Sequence, residues 1–66
     1  MSRRVEVDKL VGATEIADRL GIAHSETIHL WRRRYEDFPE PMARLSTAVV
    51  WAWPDVERWA RRSGRL

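Results

Sequence analysis

Apolar residues in the first half of the chain recur at helical spacing in two stretches separated by a short turn. The first stretch has one apolar face, made of Ala13, Ile16, Ala17 and Leu20. Gly21 ends this helix, because glycine adopts the left-handed closing conformation without steric cost. The small Ala17 side chain lets a second helix cross closely. The pattern predicts the first helix of a closely packed pair.

The second stretch predicts a helix from about Ser25 to Tyr35. Ile22 is expected to plug the turn before it, and the Ser25 hydroxyl is expected to cap its first N–H groups. At about 100° per residue, Trp31 and Tyr35 fall within about 60° of Ile28, which defines a buried face. A helix, a tight turn and a second helix form the helix-turn-helix pattern, in which the second helix lies in the DNA major groove.

The opposite face of this second helix is polar. Glu26, His29 and Arg33 lie on it, with Leu30 and Arg32 to either side. Most such faces are simply solvated, whereas a recognition helix presents the same face to base edges. The turn before the helix and the run of arginines at its end favour recognition.

The second half of the chain predicts a β-hairpin and a third helix. Two closely spaced prolines impose an extended path after the second helix, and Phe38 is expected to pack on the core. Alternating and β-branched residues predict strands over residues 42–45 and 48–51, with Ser46 and Thr47 in the turn. This hairpin would be the wing of a winged helix.

The third helix is predicted to begin at Pro54, which suits a first helical position, and to end at residues 63–64. Val56, Trp59 and Ala60 would dock on the core. Acidic residues near its start and arginines near its end agree with the helix dipole.

The residues before the first helix give weaker signals. Residues 1–9 are expected to form a flexible arm, with a short strand as the alternative. Residues 10–12 should pack under the core, with pairing to a later strand as an open possibility, and Thr14 should cap the first helix. The predicted fold is therefore mainly α. Residues 10–66 are expected to form a winged helix-turn-helix, with three helices and a two-stranded wing.

Four tryptophans in 66 residues have two interpretations, base stacking or core packing. Trp31 and Trp59 lie on the apolar faces of their helices, and Trp51 alternates with Val49, so all three are expected in the core. Trp53, at the start of the third helix, is expected to be half exposed.

Composition narrows the class of protein. Sixty-six residues make one small domain, without cysteine and without an apolar run long enough to span a membrane. His24 and His29 lie five apart, which suits a metal poorly, and no catalytic or phosphate-loop motif is present. We expect a cytoplasmic, nucleoid-associated protein that is not an enzyme, needs no cofactor and binds neither membranes nor small-molecule substrates.

The charge distribution favours a nucleic acid as partner. The net charge is only +2, but eleven of the twelve basic residues are arginine, which pairs well with phosphate and guanine. A GC-rich genome also enriches arginine whatever the function. Position is more informative, because the basic residues cluster at residues 32–34 and 58–65 and could form a basic face.

The chain resembles the AlpA-like and excisionase-type DNA-binding proteins, a branch of the MerR-like winged helix-turn-helix superfamily common in actinobacteria and their phages. The resemblance covers about residues 10–62. It is carried by residues 10–17, 20–22, 37–41, 50–51 and 55–60, and most specifically by the Phe-Pro-x-Pro link and the Val-Trp…Asp-Val-x-x-Trp ending.

The resemblance implies a protein that binds double-stranded DNA and either bends it for phage excision or controls transcription. An integrase or further copies on adjacent sites would be its protein partners. The second helix would enter the major groove through Ser25, Glu26, Thr27, His29, Arg32 and Arg33. The wing would contact the backbone or the adjoining minor groove through Arg44, Ser46 and Thr47.

The chain departs from the family pattern in two places, and two residues of the second helix support a rival function. Ile28 lies seven residues after Gly21, where the family usually has six, and the wing tip lacks the usual glycine or basic residue. Glu26 repels phosphate unless it accepts a bond from cytosine, and an exposed Leu30 suits a protein surface. The rival is therefore a winged-helix module that docks on a protein partner and does not bind DNA.

Overall fold

The computed structural model describes residues 4–66, which form three α-helices and a three-stranded antiparallel sheet. In chain order the elements are one turn of 3-10 helix (Val7–Lys9), β1 (Leu10–Gly12), α1 (Ala13–Leu20), α2 (Glu26–Arg34), β2 (Ala43–Arg44), β3 (Val49–Ala52) and α3 (Trp53–Arg62). The arm expected over residues 1–9 lies partly outside the described residues. Its last three residues form the 3-10 turn rather than irregular chain, and none of them is buried.

The sheet has β3 at its centre, in the order β1-β3-β2. Leu10 pairs with Ala52 and Gly12 with Val50, so residues 10–12 do pair with a later strand. The observed sheet therefore has three strands, whereas the sequence predicted a sheet of two strands without β1. The third strand matters physically, because an isolated two-stranded hairpin is at best marginally stable in water.

The turn between β2 and β3 falls at Ser46 and Thr47, as predicted. Leu45 N–H donates to the Ala48 carbonyl at 2.7 Å, and Ala48 N–H donates to the Leu45 carbonyl at 3.4 Å. No non-glycine residue among those described has a positive φ. The turn therefore closes without the left-handed conformations that the commonest two-residue hairpin turns require. The hairpin is defined here as residues 43–52.

The start of α1 differs from the prediction. Gly12, rather than Thr14, is the N-cap, because β1 passes into α1 without an intervening loop. Glu15 Oε1 accepts the Gly12 N–H at 2.7 Å. The Glu15 carboxylate thereby satisfies one N–H at the helix start, as the acidic half of a capping box does.

The end of α1 sets the angle at which α2 enters. Gly21 is left-handed at φ 70°, as predicted. Ile22 N–H donates to the Ala17 carbonyl at 2.8 Å and Gly21 N–H to the Asp18 carbonyl at 3.3 Å, which are the two bonds of a Schellman motif. Ile22 is half-buried rather than the fully buried plug expected. Ala17 is buried in the core, as the close crossing of two helices requires.

The start of α2 corrects the predicted cap. Ser25 occupies the N-cap position, but its backbone is helical and its hydroxyl makes no capping bond. An N-cap side chain reaches the first-turn N–H groups from an extended backbone, which Ser25 does not have. The carbonyls of His24 and Ser25 accept the N–H groups of Thr27 and Ile28 at 3.1 and 3.0 Å instead.

The buried face of α2 lies where the periodicity placed it. Ile28 is fully buried, and Trp31 and Tyr35 are half-buried against the core. The ring centroids of Trp31 and Tyr35 lie 5.4 and 5.9 Å from that of Trp59. Trp31 is therefore less enclosed than expected.

The link after α2 is held by two tryptophans. Phe38 is buried, as predicted, with its ring edge-on to Trp59 at 4.8 Å and to Trp51 at 6.0 Å. Trp51 Nε1–H donates to the Pro39 carbonyl at 3.0 Å. This bond fixes the extended chain that leads into β2.

The start and packing of α3 agree largely with the prediction. Val56, Trp59 and Ala60 are buried. The helix begins at Trp53, one residue before the predicted start, so Pro54 is its second residue. Trp53 is half-exposed, as expected.

The chain after α3 folds back onto the aromatic residues. Gly64 is left-handed at φ 80°, and Arg65 N–H donates to the Ala60 carbonyl at 2.7 Å. This reversal places the Arg65 guanidinium carbon 4.6, 5.0 and 4.7 Å from three ring centroids, those of Trp31, Tyr35 and Trp59. The last turn of the chain therefore closes one side of the core.

Candidate nucleic-acid interface

The exposed side of α2 carries the polar residues that the periodicity assigned to it. Glu26, His29 and Arg33 are exposed, whereas Ile28 on the opposite side is fully buried. His29 and Arg33 are four residues apart and so lie one above the other along the helix. The helix thus presents a continuous polar strip, one side of which faces the hairpin.

The hairpin borders the first half of this strip. Ser25 and His29 line one wall of an open hollow of about 480 Å³, and Ser46 and Thr47 of the hairpin turn line another. Four predicted DNA-binding residues from two separate segments are thus brought together. The start of α1, residues 13–15, completes the hollow, a contribution that the sequence did not predict.

The second half of the strip meets the base of the hairpin. Arg32 and Arg33 of α2 and Arg44 of β2 line a second open hollow, of about 550 Å³, together with Glu36 and Glu40. Three further predicted residues therefore converge. We call the two hollows together the α2–hairpin groove.

Two predicted residues lie outside these hollows. Glu26 is exposed in the first turn of α2, and Thr27 beside it is half-buried. Neither lines either hollow. They are the first two residues of α2, and a helix in the major groove contacts base edges through its N-terminal residues.

In the part of the chain that the structure describes, the arginines of the groove have no carboxylate partner. Among residues 4–66, no carboxylate oxygen lies within 4.0 Å of the guanidinium nitrogens of Arg32, Arg33 or Arg44. The stretch between Glu40 and Asp55, which includes the whole hairpin, has no acidic residue. These charges are therefore available to an anionic partner.

Three arginines of α3, unlike those of the groove, form ion pairs. Each has an acidic neighbour: Arg58 with Asp55 at 3.9 Å, Arg61 with Glu57 at 3.2 Å and Arg62 with Asp37 at 3.7 Å. The sequence analysis grouped them with residues 32–34 as candidates for a basic face. These ion pairs partly offset the charges of the α3 arginines, whereas Arg32, Arg33 and Arg44 have no such neighbour among residues 4–66.

Leu45 is a further groove residue that the sequence analysis missed. Leu45 lines the first hollow beside His29 and is 63% exposed at the end of β2. The hydrophobic alternation that predicted the strand could have indicated its position, but only the turn shows that it borders α2.

Residues 4–66 show neither of two other kinds of site. No three His, Cys, Asp or Glu side chains among them are grouped so as to hold a metal ion. No helix in this part of the chain is long and apolar enough to cross a bilayer.

Comparison with protein-family models, with curated proteins and with solved structures found no match to this chain.

Proposed function

We propose that this chain is a sequence-specific DNA-binding protein that places α2 in the major groove and the hairpin on the adjoining backbone. The observation that carries the proposal is the α2–hairpin groove, where three arginines converge from two elements beside Glu36 and Glu40. Within the described part of the chain, no carboxylate oxygen lies within 4.0 Å of their guanidinium nitrogens. Unpaired arginines on a concave, otherwise polar surface suit a polyanion, because each neutralised phosphate releases condensed counterions.

The residues of the groove divide by role. Arg32, Arg33 and Arg44 contact phosphates and set the register of α2 on the duplex. His29, at the middle of the exposed strip, and Glu26, Thr27 and Ser25 at its start reach base edges, Glu26 by accepting a bond from cytosine. The hydroxyls of Ser46 and Thr47 donate hydrogen bonds to the DNA backbone next to the major groove.

The arrangement supports a winged helix-turn-helix of the AlpA-like or excisionase type. In such a fold the hairpin is the wing, here supported by β1 as a third strand. The function we favour is that of an excisionase in phage-type DNA recombination or of a small transcription regulator. A single module buries about 600–1,000 Å² on DNA, which is little for strong specificity. Further copies on adjacent sites, or a recombinase partner, would supply the rest.

The test is a binding titration at several salt concentrations, with a duplex from the locus of the protein and a scrambled duplex. About 3–5 phosphate contacts give a slope of log affinity against log salt of about −3 to −4.5. Tighter binding to the own-locus duplex, with a slope in this range, is the expected result.

Two matched triple variants assign the contacts. Replacing Arg32, Arg33 and Arg44 by alanine should reduce the magnitude of the slope by about 2.7, since each phosphate contact accounts for about 0.9. The control replaces Arg58, Arg61 and Arg62 and removes the same net charge. It should retain a near wild-type slope. Equal losses in the two variants would contradict the groove assignment, provided that circular dichroism shows both to be folded.

A protein-docking module is the second candidate, and one observation favours it. Leu30 is 48% exposed on α2, beside the polar strip. An exposed leucine on the helix of interest suits an apolar partner surface. The absence of binding to either duplex at low salt would favour this function over DNA binding.

A further inference from the structure

The flank of α2 that faces away from the hairpin carries basic charge of its own. At about 100° per residue, Arg33 and Arg34 lie on either side of the point directly opposite the fully buried Ile28. Arg33 lines a hollow of the α2–hairpin groove, whereas Arg34 is exposed and lines neither hollow. Arginines in the last turn of a helix also suit its dipole, so Arg34 alone says little. Its position is informative together with the charge beside it.

The charge beside Arg34 is that of Arg65. The guanidinium carbons of these two arginines lie 5.8 and 5.0 Å from the ring centroid of Tyr35. Among residues 4–66, no carboxylate oxygen lies within 4.0 Å of either guanidinium. The C-terminal turn and the end of α2 therefore bring two positive charges to one aromatic ring, from segments that are distant in the chain.

Arg65 is held in place before any partner binds. Its backbone N–H donates to the Ala60 carbonyl at 2.7 Å, and Gly64 before it is left-handed at φ 80°. Its guanidinium carbon also lies 4.6 and 4.7 Å from the ring centroids of Trp31 and Trp59. An arginine stacked on rings keeps N–H donors for an anion, because they lie in the plane of the guanidinium. Little ordering is then needed when it meets a phosphate.

The dimensions of DNA direct the two flanks of α2 to different strands. An α-helix with its side chains is about 10–12 Å across, and the major groove is about 12 Å wide. A helix lying in the groove therefore fills it, with one flank toward each sugar-phosphate backbone. In the proposed complex the hairpin flank, with Arg32, Arg33 and Arg44, faces one strand, and the flank with Arg34 faces the other.

We infer that Arg34 and Arg65 form a second phosphate-binding site, which holds the strand opposite to the one contacted by the arginines of the α2–hairpin groove. The inference rests on the proposed DNA-binding function and adds the C-terminal turn to the DNA-binding surface. Contacts to both backbones fix the position of α2 across the major groove, since phosphate contacts set the register of a protein on the duplex. With three arginines in the groove and two here, the wild-type slope of log affinity against log salt should be about −4.5.

The first experiment counts phosphate contacts. The own-locus duplex is titrated at several salt concentrations with wild type, R34A and the double variant R34A/R65M. The magnitude of the slope should fall by about 0.9 in R34A and by about 1.8 in the double variant. The matched control is R58A/R61A, which removes two arginines that are paired with acids on α3, and it should keep the wild-type slope.

The folding of the variants is checked by circular dichroism. R34A changes an exposed side chain, and R65M keeps an apolar stem over the rings, so both changes should preserve the fold. If the double variant is nevertheless unfolded, R34A alone decides by its loss of about 0.9 in slope.

The second experiment assigns the strand. Ethylation of single phosphates removes their charge, and the positions at which it blocks binding are read separately on the two strands. Wild type should show blocked positions on both strands. R34A/R65M should lose them on one strand, and the variant without Arg32, Arg33 and Arg44 should lose them on the other. R65K, which keeps the charge, should retain both sets.

Two results would overturn the inference while leaving DNA binding intact. One is a folded R34A/R65M protein with the wild-type slope, and the other is loss of blocked positions on the same strand in both variants. The absence of wild-type binding at low salt would instead refute the DNA-binding function itself, and the inference with it.

Discussion

Arg65 is an exposed-side residue whose charge should stabilise the aromatic side of the core. Its guanidinium lies 4.6–5.0 Å from the ring centroids of Trp31, Tyr35 and Trp59. A cation over one ring contributes about 0.5–1 kcal/mol when exposed and about 2 kcal/mol when desolvated. Arg65 is half-buried and one charge is shared among three rings, so we expect R65A to lower the free energy of unfolding by about 1–2 kcal/mol.

This loss is large for a small domain. At about 0.05–0.15 kcal/mol per residue, 66 residues have a total stability of about 3–10 kcal/mol. The midpoint of thermal unfolding should fall by about 4–8 °C per kcal/mol. Urea denaturation followed by tryptophan fluorescence measures the free energy, and thermal circular dichroism measures the midpoint.

Two further variants separate the causes. R65M keeps an apolar stem over the rings but removes the charge, so it should fall between wild type and R65A. R61A removes a 66% exposed arginine from a surface ion pair with Glu57 and should cost less than about 0.5 kcal/mol. Equal stability of R65M and wild type would refute the cation–π account. Equal stability of R65A and wild type would show that the tail contributes nothing.

Two more predictions concern the backbone. G21A should lower the free energy of unfolding by about 1–2 kcal/mol, since a Cβ there meets no atom within 4 Å and only the left-handed φ of 70° opposes it; chemical denaturation measures the change, and a neutral result would show that the turn relaxes. W51F removes the donor to the Pro39 carbonyl and leaves a small cavity at a fully buried ring, so it should cost at least about 1–3 kcal/mol. Loss of no more than about 0.5 kcal/mol would indicate that water replaces the bond, and a matched W53F, at a half-exposed ring, should be nearly neutral.

The helix faces could be predicted because they depend on local periodicity. The spacing of Ile16 and Ala17 in α1, Ile28 in α2 and Val56 and Trp59 in α3 was sufficient to place each buried side. The turn at residue 21 was equally local, since it depends on the conformational freedom of one glycine.

The features that were missed depend on distant contacts. β1 has only three residues, and its partner lies about forty residues further along the chain, so no local pattern reveals the pairing. The same pairing removes the loop in which a Thr14 cap would have formed. Which arginines are free depends on where acids such as Asp37 lie in space, and the cage around Arg65 depends on the chain reversal at Gly64.

The two direct junctions between strand and helix determine where the length of this chain can change. α1 follows Gly12 and α3 follows Ala52 with no residue between, and both strands belong to one ladder. An insertion at either junction would shift a strand by one residue and turn its side chains to the opposite face of the sheet. Insertions at the exposed hairpin turn, residues 46–47, would lengthen a loop at small entropic cost. Related chains that diverge in length should therefore vary in that turn and keep both junctions intact.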